Sequence, residues 1–293
     1  MGVIFSKWAL LLILVAFIWG TTFAVMKDLL EQVSLYYFLF WRFLLGGLFL
    51  AIWSGIRRRG LNRAHVGQGL FLGFLLFGGY LTQVLGLNWT TASQAGFITG
   101  LSVIMVPLIA VGTGQEVLKK GSLLGAILAV IGLYLLNYID RLYFGWGEFL
   151  VFLCAVFFAL YIVFVSRYAP RVDGPPFVAL QILLMAFLMG VLALFLAPQK
   201  PWEVGYISGI QWLQIAYMGL GATALAYLWE HKAQQVISAS FAALALALEP
   251  VFATVFAFFY LGEVLPLPSY LGGLFIVWGM FLAGREEKEE TVP

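Results

Sequence analysis

The chain has 293 residues, of which 63% are hydrophobic and only 10% charged, with a net charge of +2. A soluble domain carries about a quarter charged residues, so this composition specifies an integral membrane protein. The charge is too small, and no basic run long enough, to suggest nucleic acid as a partner. A single cysteine, Cys154, inside an apolar segment excludes an intrachain disulfide and suggests no metal site.

A spanning helix needs about 20 mostly apolar residues. Ten segments qualify: 8–26, 36–55, 66–86, 92–114, 121–138, 145–166, 176–196, 209–230, 238–260 and 266–284. The first, with Lys7 ahead of its apolar run, superficially resembles a signal peptide. No small-x-small cleavage site follows it, and Lys27 and Asp28 end it, so we read it as a retained helix. Its last half carries Trp19, Thr21 and Thr22. The second opens on Phe40-Trp41-Arg42-Phe43, where Arg42 either snorkels to the interface beside a belt tryptophan or attracts an anionic substrate group. Lys27 poses the same choice. The third holds Tyr80 and Gln83; Asn88, Thr91, Ser93 and Gln94 lead into the fourth, which Pro107 interrupts. Tyr161 lies on the sixth and Tyr227 on the eighth. Glu230 and His231 lie near the cytoplasmic end of the eighth, where plain solvation is one reading. Glu249, directly before Pro250, falls midway along the ninth, where a lipid-exposed carboxylate is costly. It is therefore protonated, paired or turned to a polar cavity, or it makes a structural hydrogen bond at the kink. A mid-helix proline frees a carbonyl and bends the helix, so Pro107 and Pro250 mark kinks beside a cavity or simple packing features.

Residues 80–132 recur as 227–279 at one offset without gaps. Tyr80 matches Tyr227, Ala92-Ser93 matches Ala239-Ser240, Glu116 matches Glu263, and Gly125 and Gly132 match Gly272 and Gly279. A weaker match sets Trp19-Gly20 against Phe158-Ala159 and Arg42 against Gln181. Each copy holds five spans, so the second is inverted, and inverted repeats with a site between them characterise secondary transporters. The expected domains are residues 1–140 and 141–284, one five-helix repeat each, and a charged cytoplasmic tail, 285–293. Polar groups on repeat-related helices, namely Tyr80 and Gln83 with Tyr227 and Glu230, are either interhelical glue or the lining of one shared cavity.

Twelve cations lie in the loops on the N-terminal side and three in the opposite loops, which places both termini in the cytoplasm. The glycines seven apart in the fifth and tenth spans line one face of each helix. They serve either tight packing of those two helices or a homodimer seam.

Trp19-Gly20-Thr21-Thr22-Phe23 through Lys27, Arg42-Phe43, Thr91-Ala92-Ser93 running to Gly100-Leu101 and Pro107, and Leu248-Glu249-Pro250 before Gly262-Glu263 resemble the drug/metabolite transporter superfamily in its EamA-type branch. The resemblance implies an all-α, ten-helix carrier of two inverted repeats, with the first, third, fourth, sixth, eighth and ninth helices around a central cavity. It departs in one place: Gln115-Glu116 stands where the second half has Gly262-Glu263, so a helix-end glycine is missing there. The expected function is alternating-access transport of a small organic metabolite across a bacterial-type inner membrane, in the export direction. A lipid or lipid-linked flippase is the alternative. No phosphate-binding loop of the Gly-rich Lys-Ser/Thr kind is present. His65 and His231 lack partners at catalytic or ligand spacing, so no enzyme, cofactor or metal is implied. The expected substrate-contacting residues are Trp19, Thr21, Thr22, Arg42, Tyr80, Gln83, Gln94, Tyr161, Tyr227 and Glu249.

Overall fold

A computed structural model describes residues 4, 6–56, 61–137, 144–198, 200, 202, 203, 205, 207–261 and 266–287. Among these no strand occurs. The helices are α1 (Lys7–Leu30), α2 (Leu35–Ile56), α3 (Arg63–Leu87), α4 (Ala92–Gly100), α5 (Ser102–Gly112), α6 (Lys120–Leu136), α7 (Trp146–Tyr168), α8 (Gly174–Leu196), α9 (Gly209–Ala216), α10 (Ala226–Ala233), α11 (Ala239–Leu246), α12 (Glu249–Leu261) and α13 (Leu267–Glu286). A 3-10 turn, Ala169–Arg171, follows α7, and a π-helical stretch, Tyr217–Leu225, joins α9 to α10. Lipid offers no partner for backbone polar groups, so apolar segments of this length close their hydrogen bonds internally as helices. Hydroxyl and amide side chains start them: Asn62 accepts from His65 N at 2.8 Å and Thr91 from Gln94 N at 3.2 Å.

By length and composition, seven of the described helices can cross a membrane: Leu35–Gly55, Arg63–Leu87, Ala92–Gly112, Trp146–Arg171, Gly174–Leu196, Ala239–Phe256 and Leu267–Glu286. Lys7–Thr22 and Lys120–Leu136 are shorter apolar helices. The chain is thus an all-helical, multi-pass membrane protein. Ile4 packs against Gly284, which brings the two ends of the described chain to one face.

One of the two prolines sits by an interruption and the other does not. The expected fourth helix breaks at Leu101, whose N–H reaches back only three residues to Ile98 O (3.1 Å), whereas Pro107 lies buried inside α5. The expected ninth helix breaks at Ala247 and Leu248, which leaves Pro250 in the first turn of α12, where a missing N–H removes no helical bond. Glu249 accordingly opens a helix rather than standing midway along one. Leu101 and Leu248 are mates at the repeat offset, so the breaks are conserved between halves while the prolines are displaced.

A second correction concerns the end of α5. The first half does have its helix-end glycine, one residue upstream of the aligned position: Gly114 adopts φ 69°, and the N–H groups of Gly114 and Gln115 close on Val111 O and Ala110 O at 3.0 and 2.9 Å. Its counterpart Gly262 lies outside the described residues, as do Glu263 and residues 288–293 of the expected tail.

α6 packs along α13, α2 along α8, α3 along α7 and α1 along α12. Glycine sets the first of these. A Cβ built on Gly132 would stand 2.5 Å from Gly272 O, and Gly125 and Gly279 oppose each other in the same way. The glycine faces are turned to one another within one chain, which is the packing use expected for them.

Candidate functional site

The interior between the helices holds a run of aromatic and hydroxyl groups contributed by α1, α2, α3, α7, α8 and α10. Tyr227 is its hub. Its ring lies 5.3 Å from Trp19 and 6.0 Å from Tyr161, and its hydroxyl is 3.2 Å from that of Tyr80. Tyr80 and Tyr227 are repeat mates, so residues 147 positions apart in sequence meet directly. The Tyr161 hydroxyl donates to Gln181 Oε1 at 3.2 Å, while Phe43 and Phe158 edge onto the Tyr80 ring at 5.2 and 5.7 Å.

The π-helical stretch supplies one wall. Such stretches occur often at functional sites because they displace backbone groups from the regular ladder. Trp19 Nε1 donates to Ala222 O at 2.8 Å, and the next residue, Thr223, accepts from Arg42 Nε at 2.9 Å. Arg42 is 4% exposed, so it does not snorkel to an interface. It lies within electrostatic reach of Glu249. Gly20 lets α1 cross the start of α12: a Cβ there would meet Ala253 N and Phe252 Cβ at 2.8 Å and Glu249 O at 2.9 Å.

The structure thus brings Trp19, Tyr80, Tyr161 and Tyr227 together, with Arg42 and Glu249 beside them. Gln83 lies one turn from Tyr80 and donates to Thr99 Oγ1 at 3.3 Å. Thr21 meets the Tyr217 hydroxyl at 2.6 Å, on the π stretch but away from the tyrosine hub. The Thr22 hydroxyl is taken by Trp19 O at 2.7 Å on its own helix. Gln94 stands in the first turn of α4, where Thr90 donates to its Oε1 at 3.0 Å. A cavity of about 340 Å³ lined by Glu31, Gln32, Ile207 and Gln211 lies at the far end of α1, apart from the tyrosines.

Thr223, the π stretch and Gln181 were not foreseen as members. Thr223 and the π stretch left no periodicity signal. Gln181 was flagged only as the weak mate of Arg42. Glu230, weighed both as cavity lining and as solvated, and His231, weighed as solvated, are each 1% exposed; the signal for Glu230 was its alignment with Gln83 at the offset that also aligns the tyrosines. Glu116, in the loop after α5, accepts from Ser240 N at 3.2 Å and also from Ser240 Oγ, which ties that loop to the start of α11. Burial pushes the Glu116 carboxyl above its usual range, partly offset by the Ser240 bonds.

Comparison with known proteins places this arrangement. The EamA-like transporter family model matches twice, over residues 6–138 and 145–285. A solved crystal structure superposes with a TM-score of 0.81 at 21% identity, covering 95% of this chain and 98% of the other, which shows a shared fold. An uncharacterized transporter of Archaeoglobus fulgidus is 32% identical over 272 residues, 92% of this chain and 83% of its own length. The uncharacterized transporter YyaM of Bacillus subtilis is 26% identical over 275 residues, covering 90% and 89%. The chain is a membrane transporter built from a duplicated domain. It belongs to the EamA-like transporter family of the drug/metabolite transporter superfamily.

Proposed function

We propose that this transporter exports a small organic metabolite by alternating access, as a ten-span carrier of two inverted five-helix repeats, residues 1–140 and 141–284, with both termini in the cytoplasm. The contact pattern supports the repeat reading. α2 packs on its mate α8 and α6 on its mate α13, while α1 with α12 is matched by α7 with α5. The two shorter apolar helices and the helical path from Gly209 to Ala233 supply the three spans beyond the seven. The Glu116–Ser240 tie has its sequence mates in Glu263 and Ser93, so each face has the residues for one latch, and alternation opens one while the other closes.

The observation that carries the substrate reading is the Tyr80–Tyr227 pair at the junction of the repeats, ringed by Trp19 and Tyr161. Rings and hydroxyls outnumber charges there, which suits a neutral, zwitterionic or amphipathic solute, with Arg42 and Glu249 available for charged ends. A deletion strain screened for sensitivity to amino acids and toxic analogues identifies the solute, and its flux is then measured in proteoliposomes. Trp19→Ala and Tyr227→Ala should each lower that flux at least tenfold at unchanged membrane abundance. Normal flux in both overturns the site, and flux of a labelled lipid instead of any soluble solute overturns the substrate class.

A further inference from the structure

One pair of buried groups on α10 is left unbalanced by the bonds around it. Glu230 and Gln234 are one turn apart and each 1% exposed. Gln234 Nε2 donates to Glu230 Oε1 at 3.1 Å. The second oxygen of each side chain, Glu230 Oε2 and Gln234 Oε1, is buried with no hydrogen-bond partner. An ionised carboxylate and an amide oxygen only accept, so as a carboxylate the pair would hold two acceptors without a donor between them. Turning the Gln234 amide over sets an oxygen against the other carboxyl oxygen and leaves the same deficit. One proton on Glu230 resolves it, because a carboxylic acid O–H donates to the amide oxygen while the amide N–H donates to the acid carbonyl.

The neighbouring groups do not supply a counter-charge. No salt bridge reaches Glu230 among the described residues. α10 packs against α1, α8 and the π stretch. Tyr161 and Tyr227, on the tyrosine hub, carry phenol hydroxyls that donate or accept hydrogen bonds and bring no positive charge. Gln181 on α8 is uncharged, and Asp173 precedes that helix. His231 Nε2 meets Val172 O at 3.3 Å, and a carbonyl only accepts, so Nε2 carries a proton directed at Val172, while the buried Nδ1 has no hydrogen-bond partner. Lys232 is the adjoining cation, two residues on and part-exposed. Tyr227 stands one turn before Glu230, which sets the pair against the tyrosine hub.

We propose that Glu230 and Gln234 form a buried proton-binding site, an acid–amide pair adjoining the tyrosine cluster, and that the proton bound there is the coupling ion. The first half rests on the geometry of the pair alone; the second rests on the transport reading above. Proton uptake neutralises Glu230 and closes the pair, and release leaves an uncompensated carboxylate beside Tyr227, so the occupied and empty states differ at the substrate cluster.

Infrared difference spectroscopy of the full chain in liposomes, with ¹³C-labelled glutamate, reads the site with protons as the only probe. A glutamic-acid carbonyl band should persist at pH 7 in the wild type, vanish on alkaline titration and be lost in Glu230→Gln but kept in Glu249→Gln. Gln234→Met, which removes the amide donor from the acid carbonyl, should move that band to higher frequency. Absence of a protonated-glutamate band in the wild type at pH 7 overturns the site without reliance on any variant's folding. A band unaffected by Glu230→Gln in a variant that still folds overturns it too. A titrating band with no solute flux leaves the proton site standing and sinks the transport reading. Flux without the band does the reverse.

Discussion

Arg42 shows how far burial changes the meaning of a side chain. An arginine next to Trp41 near a helix start would ordinarily reach for the interface, yet here its Nε is fixed to Thr223 at 2.9 Å and it is 4% exposed. Lysine keeps the charge but not the planar donor set. Arg42→Lys should therefore lower stability by about 2 kcal/mol, the size of a hydrogen bond to a charged group, and thermal unfolding in detergent measures it. Trp19 makes a similar case. Trp19→Phe keeps the ring against Tyr227 but removes the 2.8 Å bond to Ala222 O. A loss of about 1 kcal/mol is expected, together with lower flux at unchanged abundance. The aromatic character of these positions was legible in the sequence. Their partners were not, since the π stretch that presents Ala222 and Thr223 depends on α1 and α2 lying against it.

At the scale of elements, α6 and α13 meet backbone to backbone. Gly132→Val puts a branched side chain where even a Cβ would be 2.5 Å from Gly272 O, and should cost on the order of 3 kcal/mol or more. Gly112→Ala is the control, with nothing within 4 Å of its Cβ. Comparing the two by thermal unfolding tests the packing directly. The Glu116 loop gives a pH prediction. Burial is the largest influence on its carboxyl and raises it, so the protonated form is favoured in the folded chain. Its contribution to stability is present at acid pH and lost as pH rises through the raised value. Glu116→Gln should flatten that part of the profile of thermal stability against pH, measured from about pH 4 to pH 8; an unchanged slope would refute it. The seven-residue glycine spacing announced the α6–α13 contact because it depends only on helical period. The break before Pro250 falls in the turn that a proline disrupts, whereas the break at Leu101 was not announced, since Pro107 lies inside α5.

For the whole molecule, the cation asymmetry and the proximity of Ile4 to Gly284 bear on orientation. Cysteines placed at Arg63 and Lys119 should both be shielded from an impermeant thiol reagent in intact cells and labelled after lysis. Labelling of either without lysis reverses the topology. Hydrophobic length, loop charge and the offset that pairs Tyr80 with Tyr227 are carried by the sequence itself, because lipid imposes helices on long apolar runs and duplication preserves spacing. These alone determined the membrane class, the all-helical fold and the duplicated domain. Which polar groups become buried together was decided only by the tertiary structure. The sequence left Glu230 between solvent and a shared cavity, and Arg42 between the interface and a substrate site, because a one-dimensional reading measures only distance from a helix end. Burial instead depends on which neighbouring element lies over that end: α1, α8 and the π stretch pack on the helix of Glu230, and α8 and the π stretch on the helix of Arg42.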